Sequence, residues 1–551
     1  MEGTEAYDHG TADRIPHWRQ VWDSSGITPA VQNHRYDGSG TADDPYAVTW
    51  IDDDPRNPML YGSTKRWSIM MIVALAALLV SIDSSAYSGS ADEITRHFGC
   101  SREVFTLGIS LFVLGFAVGP VIWGPFSEIF GRRAVFIPTY LGLTVFNAGA
   151  AGSQSLAALL VMRFLGGMCG SNSLISAGAV VADQFHPRQR GLALAYYAVT
   201  PFLGPAIGPV FGGFIGSGVG WRWIEGVLAI ATGMVLIVYI FTVPETYAPV
   251  ILRRRARKLT SMTGQQYKSA LEIKQGSKKL RDVVKVALSR PWVLLVCEPI
   301  VTVLSAYQAV IYATLYLCFA AFPIVFQEER GWSPGIGGLA FLGVMIGMLM
   351  TIPYNIWTNK RYAKLSDKHH GFAPPEARLP LCMAGAITAP VGLFWFAWTD
   401  SPSIPWIVPI CAGAPFGFAV VVVFQGINNY LVDSYTIFAA SVLAGTAALR
   451  SVMAAAFPLF TDQMFARLGL HWGASIPAFL ALLFAPFPFL LYRYGAMIRK
   501  RCKYSAEALA YMKHMQAARG QVVVRDEGAG KEVEDGETDT QVVTDEKSEE
   551  K

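Results

Sequence analysis

The stretch "GPFSEIFGRR", Gly124–Arg133, follows directly on an apolar run and ends in two charges, and a second apolar run begins at about residue 134. Its glycines and proline make it a poor segment of regular helix. It reads as a turn between two stretches that belong in oil. Outward from it, apolar runs recur at about 67–88, 104–126, 134–152, 156–182, 191–216, 222–243, 299–326, 334–357, 379–398, 404–427, 437–460 and 474–494. Each is near the ~20 residues that a bilayer-crossing helix needs. Backbone polar groups in lipid must be satisfied internally, so these twelve spans are expected to be helices.

Composition agrees. Of 551 residues, 52 % are hydrophobic and only 16 % charged, whereas a soluble domain carries about a quarter charged residues. The charges cluster between the spans. From Tyr247 to Pro291, between spans six and seven, stand twelve Lys/Arg and two acids. Lys65, Arg66, Arg132, Arg133, Arg188, Arg190, Lys360, Arg361, Lys364 and Arg499–Arg501 fall on the same side of a twelve-span arrangement as that linker. The positive-inside rule therefore predicts both termini and the linker in the cytoplasm. Residues 1–64, with eleven Asp/Glu against four Arg and no Lys, read as a disordered acidic tail, not a cleavable signal, so the first span is expected to serve as its own insertion signal. The predicted organisation is this tail, a six-helix bundle over 65–246, a basic linker over 247–291, a second six-helix bundle over 292–498, and a tail over 499–551 that is acidic and disordered from about 521. The fold class is an all-α membrane protein with two pseudo-symmetric six-helix bundles.

Within this frame Glu128 stands out, because a carboxylate adds nothing to topology. It either pairs with a basic neighbour or faces a helix N-terminus, as a conformational latch, or it belongs to a plain solvated turn. Gly124 and Gly131 permit close approach there, and Arg132 and Arg133 sit where anionic headgroups favour them. Span five carries Gly204, Gly208, Gly212 and Gly213 with Pro205 and Pro209: small residues four apart let a neighbouring helix approach, and prolines bend the helix. This serves tight packing alone or also a kink that shapes a cavity. Ionisable residues placed inside spans are Asp83, Arg163, Glu298 and Arg450. Such charges are costly and tend to face a partner or a cavity. A carboxyl that alternates between a dry site and an arginine's charge takes up a proton in one and releases it in the other. Asp83 with Arg163 is the first choice for such coupling, against a static pair or a wetted helix end. Glu298, before Pro299, suits proton binding or a structural helix end, and Arg450 suits packing or a counter-charge. In span seven, Tyr312, Tyr316 and Phe319 share a helix face. With Tyr307 and Gln308 they either line a cavity for an amphipathic organic molecule or pack against lipid and neighbouring helices. Gln425, Asn428 and Asn429 are further polar candidates.

These stretches resemble a known family. "GPFSEIFGRR" is similar to the signature loop G-x-x-x-D-x-x-G-R-R of the major facilitator superfamily, with Glu128 in place of Asp. "RFLGGMCG" in span four resembles its R-x-x-x-G pattern, with Gly166 near the place of the usual Gln, and "GPAIGPVFGGFIG" in span five resembles the motif of its proton-coupled antiporters. "WRW" at Trp221–Trp223, "PETYAPVILRRRARKL", "SAYQAVIYATLYLCFAAFPIVF" and "NNYLVDSY" at Asn428–Tyr435 resemble its fungal twelve-span drug:H⁺ antiporter group. The resemblance implies two bundles around a central cavity that opens alternately to either side. It implies that Glu128 and Arg132 help to lock the cytoplasmic-closed arrangement, and that Arg163 influences the protonation of a nearby carboxylate. The equivalent loop between spans eight and nine, "YNIWTNKRYAK", matches poorly.

The expected function is proton-coupled efflux of small organic molecules from a fungal cell, in the plasma membrane or alternatively the vacuolar membrane. A uniporter, a nutrient symporter or a transporter-like sensor on the same fold are the other readings. No G-x-x-x-x-G-K-[ST], HExxH or GxSxG is present, and the seven cysteines form no CxxC, so ATP-driven pumping and enzymatic catalysis have no sequence support. The expected partners are a small-molecule substrate, protons and the lipid bilayer, with no nucleic acid, cofactor or metal. The chain is expected to act as a monomer.

Overall fold

The computed structural model describes residues 15–511 except His186, 277–279 and 369–372. Ten stretches of the described chain are long and apolar enough to cross a membrane, and the last, Ile407–Arg501, contains three crossings. Spans one to six are Ser63–Ala86, Arg102–Phe130, Arg132–Ala151, Leu156–Gln184, Pro187–Val219 and Trp221–Thr242. Spans seven to ten are Pro299–Phe322, Leu342–Lys368, Leu379–Ala397 and Ile407–Tyr435. Spans eleven and twelve are 439–468 and 470–501, divided by the non-helical Gly469 (φ 76°, ψ 172°), a left-handed conformation that suits glycine. Twelve crossings in two lobes are the predicted architecture.

Burial separates centre from rim. In span seven 83 % of the most apolar stretch is buried, against 39 % in span three. Span three therefore turns apolar side chains such as Leu141 and Val145 outward, where lipid covers them. One apolar core fills the first lobe around Val80, Phe112, Phe136 and Tyr140. A larger one is centred on span seven and crosses into the first lobe at Tyr87, Phe105 and Phe202.

The opening stretch is less of a turn than its composition suggests. Gly124–Phe130 continue the helix of span two, with Pro120 and Pro125 inside it, and the reversal is made by Gly131 alone (φ 104°). A Cβ on Gly124 would meet no atom within 4 Å, so that glycine serves no close approach here.

The expectation of a disordered tail over 1–64 fails from residue 15 onward. This segment folds onto the linker helix Ala248–Thr263. Tyr46–Val48 pairs in parallel with Tyr267–Ser269. Asp54 and Arg255, both fully buried, form a two-pronged ion pair (2.5 and 3.1 Å), and Lys258 pairs with Asp23 at 3.0 Å. Acidic tail and basic linker satisfy one another, so neither behaves as its own charge would suggest. On the same face, Arg253 and Arg254 donate to the carbonyls of Ile129 and Phe130, the unsatisfied C-terminus of span two. The acidic tail expected from Gln521 and the side chains of Arg188 and Arg190 lie outside the described residues.

Candidate coupling network and central cavity

Span four owes its position to glycine. A Cβ on Gly167 would collide with the Phe112 backbone of span two, and one on Gly170 would lie 2.9 Å from Val80 of span one. This close approach carries Arg163 into the middle of the first lobe, where it is 1 % exposed. Its Nη1 is 2.7 Å from Asp83 Oδ1 and 3.2 Å from Glu225 Oε1, and Nη2 donates to the Asp83 carbonyl at 3.0 Å. Its cationic plane lies over the rings of Phe112 (4.3 Å) and Tyr87 (5.0 Å). Asn147 of span three donates to Asp83 Oδ2 at 2.7 Å. Both Asp83 oxygens are therefore bonded, whereas Glu225 Oε2 is buried without a partner among the described residues.

The sequence reading missed Glu225. It stands one turn inside span six, beside "WRW", and looks like part of a polar helix end. Its spacing from Trp221 and Leu228 was the available signal, because i, i+4, i+7 places all three on one face, and that face is buried. Glu298, by contrast, is bonded elsewhere. It accepts from Tyr435 Oη (2.8 Å) and from the Tyr504 backbone N–H (2.9 Å), tying the start of span seven to span ten and to the segment after span twelve.

Span five joins both lobes. Cβ atoms on Gly204, Gly208 and Gly212 would collide with Ser81, Ser85 and Ala86 of span one. On its other side Gly213 meets the Pro334 carbonyl, and the carbonyl of Pro209, next to Val210, meets Gly338. Pro201, Pro205 and Pro209 lie inside the helix. Toward the face opposite the linker, Arg102 pairs with Glu328 and lies 3.7 Å from Asp462, while nearer mid-span Ser84 shares a hydrogen bond with Tyr316 (2.9 Å). The lobes are thus closed together on that face.

Between them lies a narrow hollow, with room for little more than a water molecule, lined by Phe202, Gln308, Ile311, Tyr312, Val420, Val423 and Phe424. Phe202 of the first lobe packs edge-on against Tyr312 and Phe424 of the second. Gln308 donates to Asn428 Oδ1 (3.1 Å) and to the Phe424 carbonyl (2.9 Å). Phe319 lines a second narrow hollow with Ser88, Pro209 and Phe341. Tyr307 instead stacks on Phe484 inside the second lobe, and Gln425 lines neither hollow. Of the aromatic set, the Tyr312–Tyr316–Phe319 face is the one turned to the opposite lobe.

In the signature loop Glu128 is exposed, and among the described residues it has no hydrogen bond or ion pair. Its charge, after burial, helps to push the Tyr247 phenol above its ordinary pKa. The carboxylate that faces a helix N-terminus is Glu245 of "PETY". It accepts from the backbone N–H of Arg132 (2.9 Å) and Arg133 (3.2 Å), and a Cβ on Gly131 would strike it. Arg132 itself reaches Asp183 (3.4 Å) and Ser127 (2.7 Å) and stacks on Tyr247. Arg133 donates to the carbonyls of Val243 and Ile240. Span six repeats the device at the other face: Gly220 (φ 100°) precedes it, and Glu93 accepts from Trp221 N–H at 2.8 Å.

Two helical lobes closed over central hollows, with an ion cluster buried in one of them, describe a polytopic membrane protein of the transporter class. The chain belongs to the Major Facilitator Superfamily, whose sequence profile matches residues 73–458. It is 57 % identical over 505 residues to the MFS-type efflux pump MFS2 of Trichophyton rubrum, covering 92 % of this chain and 85 % of that one. It is 53 % identical to the major facilitator superfamily multidrug transporter mdrA of Aspergillus fumigatus (93 % and 85 % covered). It is 51 % identical to the major facilitator-type transporter sorT of Penicillium rubens (89 % and 94 % covered). Two structures of the xylose transporter XylE share the fold, with TM-scores of 0.55 and 0.57 at 17 % and 16 % identity. They cover 79 % and 78 % of this chain and 96 % and 98 % of their own.

Proposed function

We propose that the protein exports small organic molecules in exchange for protons, by opening the central hollow alternately to either side of the membrane. Relatives named efflux pump and multidrug transporter, 57 % and 53 % identical over most of the chain, support the direction and the breadth of cargo. The observation that carries proton coupling is the sharing of one Arg163 nitrogen by two buried carboxylates, one of which, Glu225, keeps an oxygen without a partner. With both acids ionised the cluster holds a net negative charge away from water, which is costly. One added proton makes it neutral. Asp83, bonded at both oxygens, is suited to stay ionised, and Glu225 Oε2 is the free seat for the proton. Loss of that proton would pull Arg163 between two anions and favour a different packing of spans one, four and six.

In this reading the linker face is cytoplasmic, because Arg132, Arg133, Lys360, Arg361 and the linker's cations gather there. The protein works as a single chain in the plasma membrane. Purified protein in vesicles with an imposed pH gradient tests the proposal. The wild type moves organic compounds against their gradient, and Asp83→Asn and Glu225→Gln, while still inserting, lose the dependence on pH. Gradient-driven pumping by both variants at the wild-type rate would refute the assignment. Transport that ignores pH in the wild type itself would favour a uniporter.

A further inference from the structure

Arg450 is the other arginine in the middle of the molecule, and its surroundings differ from those of Arg163. It stands near the centre of span eleven, with its guanidinium over the rings of Tyr312 and Phe424, 4.7 Å from each centroid. Both rings are walls of the hollow that Phe202 closes. Among the described residues no carboxylate pairs with it, and its Nε is buried without a hydrogen-bond partner. The ionisable groups around it are phenols: Tyr312 and Tyr316 of span seven and Tyr197 of span five. Part of the side chain nevertheless remains accessible, as expected for a group at the edge of an internal crevice.

A cation at mid-membrane depth is expensive to keep without a counter-charge. Two aromatic faces offset only part of that cost, and they leave the fork of N–H donors unused among the described residues; that fork matches a carboxylate. Phe202 reaches across from the first lobe and packs on the same two rings. The lobes are closed against each other here, and the hollow has room for little more than a water molecule, far less than an ordinary ligand pocket. Separation of the lobes would withdraw Phe202 and leave Arg450, Tyr312 and Phe424 facing the enlarged space. Gln308 Oε1, also without a partner among the described residues, would offer an acceptor to a hydroxyl or N–H on the same ligand.

We infer that Arg450 is a substrate-binding residue and that the preferred cargo is an organic acid: an aromatic or otherwise flat apolar molecule carrying a carboxylate or similarly delocalised anion. This rests on the export reading above and gives it a substrate class.

The test is equilibrium binding to the full-length purified protein in lipid nanodiscs without any gradient, so that it is independent of coupling. The probes are phenyl, naphthyl and biphenyl carboxylates, each with its matching carboxamide and primary amine. The wild type is expected to bind the best acid at least tenfold more tightly than its amide or amine. Arg450→Gln is expected to reduce that acid-to-amide ratio at least tenfold, and Arg450→Lys to keep part of it. Equal binding of acid and amide by the wild type, or binding of none of the acids, would overturn the inference, as would an unchanged ratio in Arg450→Gln. If Arg450→Gln does not fold, the wild-type and Arg450→Lys ratios decide. Vesicles that pump amines or amides with a pH gradient, yet show no acid preference in binding, would leave the export reading standing and remove this one. Absence of pH-driven transport together with a clear acid preference would do the reverse.

Discussion

Each lobe holds an arginine near its middle, but the two are treated differently. In the first lobe Arg163 is held by two carboxylates, a carbonyl and two aromatic faces. In the second, Arg450 has aromatic faces and, among the described residues, no anion. A membrane protein does not bury charge without consequence. Where the counter-charge belongs to the chain, the cluster can store and release a proton without help from outside. Where it does not, the completing group comes with the ligand. On the proposed function, the difference would divide the labour between lobes: the first would read proton availability and the second cargo.

The largest effect that would test this division is on stability. Arg163→Ala strands two buried carboxylates, and breaking a buried pair costs about 3–5 kcal/mol. Its thermal midpoint in detergent should fall sharply and pH-driven export should vanish. Arg450→Met removes a cation that has no partner to strand, so the midpoint should hold or rise. If both substitutions destabilise alike, Arg450 has an anion in the resting protein and the contrast collapses.

A second contrast sets span five against the end of span two. A methyl on Gly212 would enter the Ala86 carbonyl, while one on Gly124 meets open space. Gly212→Ala should force spans one and five apart at about 1–3 kcal/mol. Gly124→Ala should be neutral or stabilise by up to about 1 kcal/mol, since alanine is the better helix residue. Thermal unfolding of the two proteins in one detergent measures the difference. Equal shifts would mean that the close approach is not rigid.

These pairs also show what could be read from the sequence. The twelve crossings were legible because each apolar run has the bilayer's length, and Asp83 and Arg163 were legible as charges inside such runs. Glu225 was hidden at a helix start, where a carboxylate looks solvated until the facing of Trp221 and Leu228 is considered. The ordered segment before span one was hidden for another reason. Its acids read as repelling one another, and the cations that neutralise Asp54 and Asp23 lie some two hundred residues later in the chain. The continuation of span two beyond about residue 126, to Phe130, was hidden because Gly124, Pro125 and Gly131 mark a turn in water, whereas Gly124 and Pro125 lie inside the helix and only Gly131 reverses the chain.

The smallest expected effect concerns the signature loop, and it separates Glu245 from Glu128. Glu245 is 1 % exposed and caps span three through two backbone N–H groups. Glu128 is exposed and bonds to nothing among the described residues. Glu245→Gln removes the charge that complements the helix N-terminus and turns one acceptor into a donor facing donors. It should cost about 1–2 kcal/mol and loosen the reversal at Gly131. Glu128→Gln should change stability by no more than about 0.5 kcal/mol, as for an exposed site without partners. Its effect on transport is the sharper measurement. If Glu128→Gln leaves both midpoint and export rate unchanged, the loop's carboxylate function has passed to Glu245, just after span six. If it slows export while the midpoint stays fixed, Glu128 meets Arg132 or a helix end only after the lobes have moved, and the pairing of Arg132 with Asp183 seen here is what it has to displace.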